Sequence, residues 1–224
     1  MSQDVWTAVD AYIKSLLVPS DPAMEAALQA SSDAGLPPIQ VSPLQGKLLH
    51  VLAQACQARQ ILEIGTLGGY STIWLARALP AGGRVVTLEA DPKHAQVARA
   101  NFTRAGLAGV IDLRLGAALE TLPKLASEGR GPFDVIFIDA NKSSMREYFE
   151  WALKLSRRGT MIIADNVIRK GAVMDAASPD PDVQGVRRFN ERLAAEKRVS
   201  ATEIQTVGCK GYDGFALAVV TSDL

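Results

Sequence analysis

Five short apolar runs, separated by helical segments, constrain the fold of this sequence more than any other feature. The runs cover residues 61–64, 85–88, 110–115, 135–138 and 161–163. Helical patterns lie between them, near residues 70–79, 92–105, 116–126 and 143–156. Runs that are apolar along their whole length are typical of parallel strands, because helices cover both faces of such a sheet. The alternation predicts a Rossmann-like, doubly wound α/β fold.

The two ends of the chain add elements to this alternation. A further helix near residues 183–196 precedes two candidate strands, at about 199–206 and 214–221. Their Gly-rich link from Gly208 to Gly214 predicts an antiparallel C-terminal hairpin, which completes a mostly parallel seven-stranded sheet. Residues 4–34 predict two extra N-terminal amphipathic helices, broken around Pro19 and Pro22. We predict one domain over residues 1–224, with a helical cap of residues 1–40 on a binding core of residues 41–224.

The composition excludes several classes of protein. Lys and Arg together number 24, as do Asp and Glu, so the basic excess that is typical of nucleic-acid binding is absent. The sequence has no signal-peptide pattern and no apolar run of about 18 residues, which predicts a cytoplasmic protein that neither crosses nor binds a membrane. Its two cysteines have no CxxC spacing, which indicates neither a disulfide scaffold nor a zinc site.

Polar residues follow the predicted strands at the edge where an open α/β sheet binds its ligand. The turn from Gly65 to Gly69 follows the first strand and lets backbone approach a ligand closely, although a glycine there is often only a tight turn. Glu89 ends the second strand, where a carboxylate can accept hydrogen bonds from the ribose hydroxyls of a nucleoside. Taken alone, Glu89 is more consistent with a solvated acid in a loop.

Asp139, Asp165 and Asn166 form the most informative group. They follow the fourth and fifth strands, so two carboxylates and an amide oxygen should meet at the sheet edge. Oxygen ligands of this kind suit a hard cation such as Mg²⁺ or Ca²⁺. An adjacent Asp-Asn pair is also common in simple turns. The cation interpretation is favoured because Lys142 follows Asp139 closely.

The sequence resembles the metal-dependent class I S-adenosylmethionine O-methyltransferases, the group that includes catechol and caffeoyl-CoA O-methyltransferases and many bacterial relatives. The resemblance extends from about Val41 to Leu217. The segments that carry it are EIGTLGGYS (63–71), FDVIFIDANK (133–142), IADNV (163–167), RFN (188–190) and GYDGF (211–215). Each motif is modest alone, and their combination is specific.

The resemblance implies a cofactor, a metal and a reaction. The implied S-adenosylmethionine site consists of Val41, Glu63, Gly65, Thr66, Ser71, Glu89, Ala117 and Asp139. It implies that Asp139, Asp165 and Asn166 bind a divalent metal, Mg²⁺ with Ca²⁺ or Mn²⁺ as alternatives, and that Lys142 is the catalytic base. The implied acceptor is a hydroxyl of a catechol-like small molecule, and the implied assembly is a homodimer.

The sequence departs from the family pattern beside this site. Asn141 stands where many members have Asp, and Ser144-Met145 stands where many have Asn-Tyr. Losing that acidic charge could change substrate preference or metal affinity. The N-terminal helices match no recognised motif, so the sequence does not identify the acceptor.

Three alternatives remain open at this point. Within methyltransferases, the acceptor could be a hydroxycinnamoyl-CoA ester in place of a free catechol. A nicotinamide-dependent oxidoreductase would share the sheet and the ribose acid, but the sequence lacks GxGxxG at the first turn. A non-catalytic nucleoside-binding domain would bind the cofactor without turnover, and Lys142 counts against it.

Overall fold

A seven-stranded sheet forms the centre of the computed structural model, which describes residues 2–222. Its strands are β1 (Gln60–Ile64), β2 (Arg84–Glu89), β3 (Ile111–Leu115), β4 (Val135–Ile138), β5 (Met161–Asp165), β6 (Val199–Gly208) and β7 (Gly211–Val220). They lie in the order β3-β2-β1-β4-β5-β7-β6. Only β7 runs against the others, pairing antiparallel with both β5 and β6. The predicted Rossmann-like sheet with an antiparallel C-terminal hairpin is therefore confirmed.

Helices flank the sheet and connect its strands. They are α1 (Gln3–Leu17), α2 (Pro22–Asp33), α3 (Pro43–Ala55), α4 (Tyr70–Arg77), α5 (Pro92–Arg104), α6 (Ala118–Ser127), α7 (Met145–Lys154) and α8 (Pro181–Ala195). Helices α2, α3, α5 and α8 each begin at a proline that follows an Asp or Ser cap, whose side chain accepts a backbone N–H from the first turn. This pairing suits a helix start because proline has no N–H to leave unbonded.

The core lies on both faces of the sheet, as the apolar strands predicted. Successive residues of β1 point to opposite faces, so Leu62 and Ile64 pack beneath α6, α7 and α8 while Ile61 packs with α3 and α4. On the first face, the rings of Phe149 and Phe189 meet edge to face with centroids 5.5 Å apart, which joins α7 to α8.

The strand register sets the position of the polar residues. Ile64 pairs with both Leu88 and Ile138, and Ile138 pairs with Ala164. Leu88, Ile138 and Ala164 are each followed by an acidic residue singled out above, and Ile64 is followed by the glycine turn. The ends of four parallel strands therefore bring three acidic residues and the glycine turn to one edge of the sheet, which is where such folds bind ligands.

The structure differs from the predicted elements in three places. Two 3₁₀ segments, Lys142–Ser144 and Arg169–Met174, follow β4 and β5. The C-terminal hairpin is tighter than predicted, because Tyr212 and Asp213 pair with β6 instead of lying in the link. An antiparallel strand with one solvated face tolerates such polar residues, which is why they resembled a loop.

The predicted division into a cap of residues 1–40 and a core of residues 41–224 stays a prediction, and Met1, Asp223 and Leu224 lie outside the described residues. Within residues 2–222, the structure has no helix with both the length and the apolar character needed to span a membrane.

Candidate active site

A cavity of about 440 Å³ opens at the carboxyl ends of β1, β2 and β4. This volume lies in the range of small-molecule and cofactor sites. Six of the eight residues that the sequence predicted for the cofactor line it, namely Val41, Gly65, Thr66, Ser71, Glu89 and Asp139. Lys142 and Asn166 also line it, so the predicted cofactor and metal residues share one site.

Gly65 allows the loops after β1 and β4 to meet. Its φ is +103°, in the left-handed region, and a Cβ atom built on it would lie 2.0 Å from the carbonyl oxygen of Asp139. No side chain fits that gap, and L residues rarely adopt such a dihedral. A glycine at this position therefore places Asp139 against the end of the first strand.

The Glu89 carboxylate holds the glycine turn in place. It accepts hydrogen bonds from the backbone N–H groups of Thr66 (3.3 Å), Leu67 (2.7 Å) and Asp91 (2.9 Å). A carboxylate has about four acceptor positions, so Glu89 can still accept a hydrogen bond from a hydroxyl of a ligand. The Nδ1 atom of His94 lies 3.6 Å from it.

Glu63 and Ala117 occupy different positions from the other predicted cofactor residues. Glu63 is fully buried beside the cavity, and it accepts hydrogen bonds from the hydroxyls of Ser71, Thr72 and Thr87. Burial raises the pKa of Glu63 from 4.5 to about 7. Ala117 is exposed, between two residues that line the cavity. The roles predicted for both residues toward the cofactor stay predictions.

The predicted metal residues and the predicted base lie together. The ammonium of Lys142 is 2.8 Å from Oδ1 of Asp139, and Lys142 is only 6% exposed. The carboxylate of Asp165 is buried and accepts hydrogen bonds from the side chain of Gln45 (2.6 Å) and the backbone N–H of Asn166 (2.8 Å). Burial, together with the negative charge of Asp139, raises the pKa of Asp165 to about 7.

This group fits a hard divalent cation. It provides carboxylate oxygens from Asp139 and Asp165 and an amide oxygen from Asn166, the ligand type that Mg²⁺ and Ca²⁺ take. Residues 2–222 contain no cluster of three or more His, Cys, Asp or Glu, so a site here depends on the amide as well as on the two acids. Burial is the main reason that the pKa of Asp165 is raised, and repulsion by Asp139 is the second; a cation between the acids would offset both.

Two residues of this site were missed from the sequence. Gln45, in the first turn of α3, reaches Asp165 because that helix starts beside the end of β5. Gly185 of α8 lies so close to the 3₁₀ segment after β4 that an added Cβ would be 2.2 Å from the carbonyl oxygen of Lys142. Neither has a local sequence signal, since each contact depends on how a distant helix packs.

His94 is a third residue that the sequence did not assign to the site. The structure places it in the cavity wall beside Glu89. The available signal was its position in the first turn of the helix that follows β2, because that turn faces the ligand edge of the sheet.

A second cavity, of about 300 Å³, adjoins the first. Its walls are formed by helices α1 and α3, the Arg169–Met174 segment and the β6–β7 hairpin. Asn166 lines both cavities, and Asp165 lines the second. The candidate cation site therefore lies where the two cavities meet.

Comparison with known proteins identifies a family and close relatives. The O-methyltransferase family matches residues 17–219. A catechol O-methyltransferase of Niastella koreensis is 57% identical over 220 residues, which cover 98% of this chain and 100% of the relative. A catechol O-methyltransferase of Mycobacterium tuberculosis is 55% identical over 212 residues, 95% of this chain and 94% of the relative. The crystal structure of an O-methyltransferase from Bacillus cereus in complex with SAH has a TM-score of 0.97 and 59% identity, and covers 98% of this chain and 100% of that one.

Replacing Glu63 by Gln should flatten the pH dependence of stability. Folding raises the pKa of this carboxyl from 4.5 to about 7, so the unfolded chain releases the proton first and the folded state loses stability as pH rises between those values. Between pH 5 and 8, the free energy of unfolding of the wild type should fall by about 2 kcal/mol more than that of Glu63→Gln. Urea unfolding at both pH values measures this difference.

The matched control is Glu191→Gln, which changes an exposed glutamate of α8. It should keep the pH dependence of the wild type. Equal pH dependence in the wild type and in Glu63→Gln would show that Glu63 ionises normally despite its burial.

Proposed function

We propose a specific reaction for this chain, which belongs to the O-methyltransferase family and is an S-adenosylmethionine-dependent O-methyltransferase. In this reaction it methylates a hydroxyl of a catechol-like small molecule with the help of a divalent metal. One observation carries the proposal. Asp139, Asp165, Asn166 and Lys142 come together where two cavities adjoin, so a donor on one side could reach an acceptor on the other. The catechol O-methyltransferase names of two close relatives support the acceptor class.

The larger cavity suits the methyl donor, which supplies an electrophilic methyl group when it is bound. Glu89 would accept hydrogen bonds from the ribose hydroxyls, because its carboxylate at the end of β2 still has free acceptor positions. Gly65 and Ser71 would face the methionine part, beside the loop after β1. Glu63 would support that end through its hydrogen bond to Ser71, and Ala117 would lie near the adenine.

The acids at the cavity junction suit the divalent cation, with Mg²⁺ proposed first and Ca²⁺ or Mn²⁺ as alternatives. When bound, such an ion stabilises an ionised phenol and fixes its direction. Asp139, Asp165 and Asn166 would hold it through oxygen atoms. Gln45 orients the Asp165 carboxylate by donating a hydrogen bond, which limits the directions in which that carboxylate can bind.

Lys142 is the proposed base. Acting in its neutral amine form, its Nζ would accept the proton of the acceptor hydroxyl and become the ammonium, while the hydroxyl oxygen takes the methyl group. The base is needed because such a hydroxyl, with a reference pKa near 10, is mostly protonated at neutral pH. The side chain is buried and its Nζ is 2.8 Å from Asp139, so the base lies beside the cation ligands. Gly185 fixes the backbone of Lys142 from the other side, which limits the movement of the base relative to the acceptor.

Family membership removes two of the alternatives from the sequence. A nicotinamide-dependent oxidoreductase and a non-catalytic nucleoside-binding domain both disagree with the O-methyltransferase match over residues 17–219. The remaining choice, between a free catechol and an acyl-CoA ester, depends on which of them fits the smaller cavity.

The homodimer is also a proposal, and an apolar stripe on α1 supports it. Val5, Val9, Tyr12 and Leu16 are between 44% and 66% exposed. Their spacing of four, three and four residues places them on one face of the helix. A contiguous exposed apolar face is typical of an interface, and the occupant we propose is a second copy of this chain.

Removing Asp165 should separate catalysis from donor binding. Asp165→Ala should lower the turnover of a catechol with Mg²⁺ by about 100-fold or more, because a cation ligand is lost, while the affinity for S-adenosylhomocysteine stays within about 3-fold. EDTA should abolish wild-type turnover, and added Mg²⁺ should restore it. Labelled methyl transfer and calorimetry measure the two quantities.

The control for this variant is Asp33→Ala, which removes an exposed acid at the end of α2 and should behave as the wild type. Wild-type turnover that persists in EDTA would contradict the metal mechanism and leave the methyltransferase activity intact.

Adding one methyl group at Gly185 should displace the base without removing it. Gly185→Ala should lower kcat by about 10- to 100-fold, because a shift of about 1 Å in a catalytic group can have that effect. Affinity for S-adenosylhomocysteine should change little. Gly109→Ala is the matched control, since no atom lies within 4 Å of its added Cβ and its φ is not positive. An unchanged kcat in Gly185→Ala would show that the position of the Lys142 backbone is not critical.

Charge on the α1 stripe should dissociate the proposed dimer. Tyr12→Glu combined with Leu16→Glu should convert a dimer into a monomer in light scattering coupled to size-exclusion chromatography, because burying two carboxylates in an apolar contact is costly. Ala11→Glu adds a carboxylate to an exposed part of α1 outside the stripe and should leave the dimer intact. A wild type that elutes as a monomer would overturn the proposal.

A further inference from the structure

The smaller cavity contains features that a neutral catechol does not use. Leu44, Leu48 and Phe215 give it apolar wall area for an aromatic ring, and Asp165 and Asn166 lie at its junction with the donor cavity. Two lysines, Lys170 and Lys210, also line it. The wall also contains Asp10, Asp165 and Asp213. An acceptor whose hydroxyl reaches the cation site would therefore place the rest of its ring beside both lysine ammonium groups and carboxylates.

Lys170 has an ammonium group with no partner inside the protein. Lys170 is exposed in the 3₁₀ segment after β5, with φ 56° and ψ 30°. Within residues 2–222 its side chain makes no hydrogen bond or ion pair. A left-handed dihedral in a residue other than glycine costs free energy and is concentrated at functional sites. The backbone conformation that places the Lys170 ammonium at the cavity wall therefore lowers the stability of the folded protein.

Lys210 supplies the second ammonium from the tip of the β6–β7 hairpin. Its Nζ donates a hydrogen bond to the carbonyl oxygen of Pro38, at 2.7 Å. An ammonium has three N–H donors, so two remain for a ligand. The contact with Pro38 fixes the position of this ammonium relative to the loop before α3.

The acids in the same wall are already engaged by backbone. Oδ1 of Asp213 accepts the N–H groups of Ile168, Arg169 and Gly214. Oδ2 of Asp10 accepts the N–H of Cys209 at 2.7 Å. These carboxylates keep their charge, but each already has backbone N–H partners, and the third acid of the wall, Asp165, is a proposed cation ligand. The ammonium of Lys170 has no such partner within residues 2–222, so it is the charged group most available to a ligand.

We propose that this cavity selects acceptors that carry a carboxylate as well as the catechol, with Lys170 as the main specificity-determining residue and Lys210 as its support. The inference rests on the proposed function and names its substrate class. A cavity of about 300 Å³ is enough for one ring with a short acidic substituent. The pantetheine and nucleotide of a CoA ester would have to lie outside it, so the anionic group is a carboxylate on the acceptor itself.

The test compares three acceptors that share one catechol. They are 3,4-dihydroxybenzoate, its methyl ester and 3,4-dihydroxybenzylamine, which carry a negative charge, no charge and a positive charge. Each is assayed for kcat/KM in the wild type, Lys170→Met and Lys210→Met, with Mg²⁺ present. Taking the ratio of acid to ester within each variant, and then comparing variants, cancels differences in phenol reactivity between the compounds.

We expect Lys170→Met to lower the acid-to-ester ratio of kcat/KM by about 10-fold and Lys210→Met to lower it by a smaller factor, both through KM, because a partly exposed ion pair is modest in strength. Lys170→Glu should favour the amine over the acid. Lys124→Met, on an exposed lysine of α6 away from both cavities, is the matched control and should keep the wild-type ratio. Calorimetric affinity for the acid, with S-adenosylhomocysteine and Mg²⁺ bound, should weaken in step with KM.

The outcomes separate this inference from the proposed function. Methylation of all three compounds with a ratio that no lysine variant alters would overturn the charge selection and leave the catechol function standing. Methylation of none of them would overturn both. A preference for the CoA ester of a catechol acid over the free acid would also overturn the inference.

Discussion

The close contact between Gly65 and the carbonyl of Asp139 determines the rest of the site. It lets the ends of β1 and β4 meet without a side chain between them, so the donor cavity and the acidic pair share one edge of the sheet. Any Cβ at this position would push the loop that carries Asp139 and Lys142 away from the glycine turn. The parallel register then aligns β2 and β5 with the same edge, which places Glu89 and Asp165 nearby.

This edge concentrates acidic groups, and the protein stabilises each of them differently. Glu89 is held by backbone N–H groups of the glycine turn, and Glu63 is held by three hydroxyls in a buried position. Asp165 accepts hydrogen bonds from two donors, Gln45 and the backbone of Asn166, and its pKa is still raised to about 7 by burial and by Asp139. Asp139 has the ammonium of Lys142 beside it, whereas the charge of Asp165 is only partly compensated by the protein. A bound cation would supply the missing positive charge, which is why the site suits one.

The sequence predicted the features that depend on local pattern. The strands were predicted because a buried parallel strand is apolar throughout, and Glu89, Asp139 and Asp165 followed because the ends of such strands share an edge. Gln45, Gly185 and the second cavity were not predicted, since each depends on the packing of helices that lie far away along the chain. The polar residues at the start of β7 were taken for a loop, because an exposed antiparallel strand has no continuous apolar run.

The division between the two cavities follows the division of the fold. The larger cavity is built mostly from parallel strands and the turns after them, whose positions the sheet register fixes. The smaller cavity is built on α1, the Arg169–Met174 segment and the hairpin tip, which pack around that sheet and can vary without disturbing it. Helix α1 is tied to the hairpin by Gln3 and Asp10, and its apolar stripe lies on another part of the helix. A second copy seated on that stripe, as proposed, would hold α1 against the hairpin, so dimer formation would stabilise the wall of the smaller cavity.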